Sequence, residues 1–158
     1  MKDNEKRILI FQKNGESFSP FDIMNTAKRL SLSPVIVGDK CDKRDLQCAR
    51  VLGAPLASAE KIFNTGVSQG SIVVTELPLG FLAGIMLSLP VYFYSGDGEL
   101  CELSALLSPP SKLGKIFIPY SRGKVESISL PTVYPYEFSE IKNRVLKFMQ
   151  AEIDSLFS

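Results

Sequence analysis

The sequence predicts a three-layer α/β/α, Rossmann-like domain filling residues 1–158, and three observations carry that expectation. Short, almost wholly apolar runs recur at Ile8–Phe11, Pro34–Gly38, Ser71–Thr75 and Val91–Tyr94, as strands buried on both faces require. The intervening segments carry apolar residues at helical spacing. Strand and helix therefore alternate, the pattern of parallel βαβ units with right-handed crossovers and helices on both sheet faces. No internal repeat, low-complexity tract or linker divides the chain into two domains.

The first strand, Ile8–Phe11, stops at the turn-forming Lys13-Asn14-Gly15. A helix follows, with Ser19 as N-cap, Pro20 at the first helical position and an apolar stripe of Phe21, Met24, Ala27 and Leu30. After the second strand, Asp42 caps a helix whose face is Leu46, Ala49 and Leu52, and Gly53 supplies the left-handed residue that ends it. A short extended piece at Pro55–Ala57 and a brief helix capped by Ser58 precede the third long strand.

Leu77–Tyr94 is 18 residues without a charge, close to the length that spans a bilayer. Pro78 and Gly80 open a helix there and Pro90 ends it ahead of Val91–Tyr94, so the reading is a buried helix followed by a buried strand and not a membrane span. Leu100, Leu103, Leu106 and Leu107 mark the next helix, which Ser108-Pro109-Pro110 terminates. Lys115–Tyr120 and Val125–Leu130 are separated only by Ser121–Lys124, which predicts an antiparallel hairpin toward the carboxyl end, with Pro119 favouring a sheet edge. The closing helix carries the strongest periodicity in the chain: Ile141, Val145, Phe148, Met149, Ile153 and Leu156. Burial of that stripe in the domain's own core is the default expectation. The alternative is a helix that runs past the body and buries its remainder against a second copy or another protein.

Composition narrows the chemistry. The chain has no His and no Trp, three Cys, and 18 Lys+Arg against 17 Asp+Glu. Without His there is no Ser-His-Asp or Cys-His nucleophile system, no imidazole acid-base catalysis and no His-ligated metal. A formal net charge of +1 argues against a broadly basic nucleic-acid scaffold. Cys41, Cys48 and Cys101 match neither a redox C-x-x-C pair nor a zinc site, and no secretory signal precedes Ile8. The expectation is a cytoplasmic protein with reduced thiols.

Ligand chemistry is expected where parallel strands end, because crossovers diverge there. Asp39, Glu76 and Asp97 each follow a strand and are the candidate carboxylates for Mg²⁺ or Mn²⁺, the basis of a nuclease or phosphohydrolase reading. Ordinary roles compete: Asp97 can cap the helix after it, Asp39 can hold a turn, and Glu76 can be a solvated strand end. A small anionic ligand or nucleotide is the other candidate, held by Lys13, Gly15, Ser17 and Ser19 after the first strand and by Ser95, Gly96, Asp97 and Gly98 after the fourth. No phosphate loop of the G-x-x-x-x-G-K-[ST] type and no G-x-G-x-x-G follows the first strand. Cys41 lies before a helix amino end among Lys40, Lys43 and Arg44, but lacks a His base. Lys115, Tyr120, Arg122 and Lys124, with Lys112, Tyr134 and Tyr136 nearby in sequence, pair cations with stacking rings as single-stranded nucleic acid requires; a charged hairpin tip guarding a sheet edge explains them as well. The leading expectation is a non-catalytic binding or assembly module that self-associates or meets a protein partner.

Overall fold

The computed structural model describes residues 5–12, 20–38, 41–108, 115–121 and 135–157. In chain order its elements are β1 (Arg7–Phe11), α1 (Pro20–Leu30), β2 (Ser33–Val37), α2 (Lys43–Leu52), β3 (Leu56–Ala57), α3 (Ala59–Thr65), β4 (Ile72–Thr75), α4 (Pro78–Leu87), β5 (Val91–Tyr94), α5 (Gly98–Leu107), β6 (Phe117–Tyr120), a 3₁₀ turn (Pro135–Phe138) and α6 (Ser139–Phe157). Among the described residues six strands form one sheet in the order β3-β2-β1-β4-β5-β6, and each pairing there is parallel. This is a Rossmann-like α/β architecture, two βαβαβ halves running outward from the β1–β4 junction.

The alternation of side chains along each strand builds two cores. Leu9, Val35, Val73, Val91 and Phe117 point to one face, where Phe81, Ala83 and Ile85 of α4, Leu100 of α5 and Ile141 of α6 meet them. Ile8, Ile10, Ile36, Ile72 and Val74 point to the other, against Ile23 and Ala27 of α1 and Cys48 and Ala49 of α2. β1 is buried along all five residues because it has strands on both edges and helices on both faces. No helix among the described residues is long and apolar enough to cross a membrane; the uncharged stretch 77–94 divides into α4 and β5 as its prolines require.

Four expectations change. The expected antiparallel hairpin is not supported: among the described residues Phe117–Tyr120 is β6, the outermost strand, parallel to β5 with Val91 opposite Phe117 and Tyr94 opposite Tyr120. The reason is α5, a crossover helix that returns the chain in the same direction, and an aromatic contact that seats Phe117 on Phe81 with ring centroids 5.0 Å apart. The expected second arm, 125–130, lies outside the described residues. On α1 the buried row is Ile23 and Ala27, whereas Phe21 is exposed. On α5, Leu100 is buried and Leu106 faces outward. The stripe of α6 is buried at Ile141 but exposed at Phe148, Met149, Ile153 and Leu156, so the helix runs past the body instead of closing the core.

The punctuation of the helices follows the sequence. Asp42 caps α2 by accepting from the Arg44 and Asp45 amides, and Gly53 ends it in a left-handed conformation, φ 63°. Ser58 caps α3 through the Lys61 amide, and Asp97 caps α5 through the Leu100 amide.

Candidate functional site

A parallel sheet whose strand order reverses opens a crevice at the carboxyl ends of the two strands flanking the reversal, because their crossover helices leave on opposite faces. Here that junction is β1 beside β4. Phe11 and Gln12 close β1; Thr75 and Glu76 close β4, and the Glu76 amide donates to the Phe11 carbonyl at 2.8 Å, which extends the ladder one residue past the strands. Thr75 shapes the exit into α4: its hydroxyl accepts from the Leu77 amide at 2.8 Å and donates to the Leu77 carbonyl at 2.7 Å. Gly80 rests on that hydroxyl, with room for nothing larger. α4 starts at Pro78 with no side-chain cap, in contrast to α2, α3 and α5. Pro78 brings no N–H there, and the Gly80 amide already donates to the Leu77 carbonyl at 3.1 Å, so little of this helix's amino end is left for a ligand.

The neighbouring strand adds a second polar cluster. Asp45, in the first turn of α2, lays its carboxylate over Gly38 at the end of β2 so closely that a Cβ on Gly38 would lie 2.1 Å from Oδ2. Gln12 donates to Asp45 Oδ1 at 3.3 Å. Below them Cys48 is buried, and burial pushes its thiol pKa upward; a hydrogen bond with Gln12 pulls it down and the Asp45 charge pushes it up again. Gln12, Asp45 and Cys48 thus couple the ends of β1 and β2.

The residues nominated from sequence distribute as follows. Glu76 stands at the junction with its side chain buried. Asp97 lies on the next strand end as the cap of α5, its amide donating to the Tyr94 carbonyl at 3.3 Å. Ser95 is tied to the sheet edge, its amide donating to the Tyr120 carbonyl at 2.9 Å and its carbonyl receiving the Cys101 thiol. Gly96 lies under the Tyr94 ring, while Gly98 faces open space. Asp39, Lys13, Gly15, Ser17, Ser19, Arg122 and Lys124 fall outside the described residues. Among the described residues no group of three His, Cys, Asp or Glu side chains is placed to hold a metal ion.

Of the nucleic-acid candidates, Tyr120 is buried with its ring 6.1 Å from that of Tyr94, and Lys115 bridges to the buried Glu137 at 2.6 Å. Asp45 is the residue that sequence reasoning passed over. It sits inside a helix rather than immediately after a strand, and its signal is a Gly at the strand end with an acid in the first turn of the next helix. A shallow concavity of about 590 Å³ along α2 and β3, lined by Leu46, Ala49, Arg50, Gly53, Ala54 and Leu56, involves none of these groups.

No family model matches this chain, and no curated protein sequence matches it.

Proposed function

We propose that the chain is a non-catalytic binding module of the Rossmann-like class that takes a small nucleotide at the carboxyl edge of β2, β1 and β4. One observation carries the reading: the strand order reverses between β1 and β4, with the Asp45 carboxylate laid over Gly38 on the adjacent strand end. Carboxylates at a strand end accept hydrogen bonds from ribose hydroxyls. Lys13, Gly15, Ser17 and Ser19, in the segment that joins β1 to α1, belong to the same proposed ligand set. Cys41, Cys48 and Cys101, none of them in a disulfide, support residence in a reducing, cytoplasmic compartment.

Isothermal titration with adenine and guanine nucleotides, with inorganic phosphate alongside, tests the reading. Saturable heat with a nucleotide is expected, weakened on the order of tenfold or more in Asp45→Ala because a hydrogen bond to a charged group is lost. No heat with any nucleotide, or an unchanged affinity in that variant, overturns it. Heat on adding Mg²⁺ or Mn²⁺ alone, followed by turnover of a phosphoester, would replace it with a metal-dependent phosphohydrolase built on Asp39, Glu76 and Asp97.

A further inference from the structure

We draw no further inference here: the strongest candidate, the apolar face that the carboxyl half of α6 exposes at Leu146, Phe148, Met149, Ile153 and Leu156, carries nothing because nothing in the structure shows what covers it.

Discussion

Gly84 of α4 lies so close to β5 that a Cβ on it would fall 2.1 Å from Val91 Cγ2 and 2.9 Å from the Leu89 carbonyl oxygen. The helix rides directly on the strand, and the absence of a side chain at this position sets the depth at which α4 packs. Gly84→Ala is expected to cost about 1–3 kcal/mol by overpacking, read from urea denaturation. Gly98→Ala, where nothing lies within 4 Å, is expected to be neutral or stabilising by about 0.4–1 kcal/mol through the unfolded chain.

Asp97 separates a structural role from a chemical one. As the cap of α5 it accepts from the Leu100 amide at 3.2 Å, so Asp97→Ala is expected to lose about 1 kcal/mol of stability while leaving nucleotide affinity within twofold. Denaturation and calorimetry on the same sample decide between the two. A large affinity loss with little change in stability assigns Asp97 to the ligand instead.

Tyr92 gives the fold a pH limit at the alkaline end. Burial pushes its hydroxyl pKa up to about 12, above the ordinary value near 10. The folded state thus holds the proton after the unfolded state has lost it. Stability from this group is complete below pH ~10 and declines as pH rises toward ~12, by up to about 1.4 kcal/mol per pH unit. Tyr92→Phe is expected to flatten that decline, measured as the difference in unfolding free energy between variant and native protein at each pH.

Thiol labelling reports on the β1–β2 cluster. Cys41 is exposed and Cys48 buried, so a maleimide is expected to modify Cys41 rapidly and Cys48 only on opening of α2. Cys48 labelling is expected to rise steeply in sub-denaturing urea while Cys41 labelling stays constant, tracked by mass spectrometry.

The strands were legible in the sequence because burial on both faces leaves continuous apolar runs, and the helix ends because Asp42, Gly53, Ser58 and Asp97 act within a few residues of themselves. Strand order was not, since the pairing of β1 with β4 depends on contacts across some sixty positions that no local pattern encodes. The direction of β6 was misjudged for a related reason: a short gap between two extended runs suggests a hairpin, whereas α5 and the Phe81–Phe117 contact govern the pairing. Phe21 illustrates a third limit, because helical spacing alone admits two overlapping stripes on α1 and only the sheet chooses Ile23 over it. Glu76 and Asp97 do follow strand ends, as their place in the sequence indicates, and Asp97 serves there as the cap of α5. Asp45 is not visible in that way, because it reaches back to Gly38 from the following helix.

The Arg7 amide donates to the Ser71 hydroxyl at 2.8 Å across a sequence separation of 64. The central strand therefore waits for a partner made long after it. At ribosomal rates of about 5–20 residues per second, that delay is roughly 3–13 s, during which Arg-Ile-Leu-Ile-Phe emerges with one sheet edge still open. β2 can pair with β1 as soon as it is made, whereas the other edge of β1 closes only when Ile72–Thr75 follows.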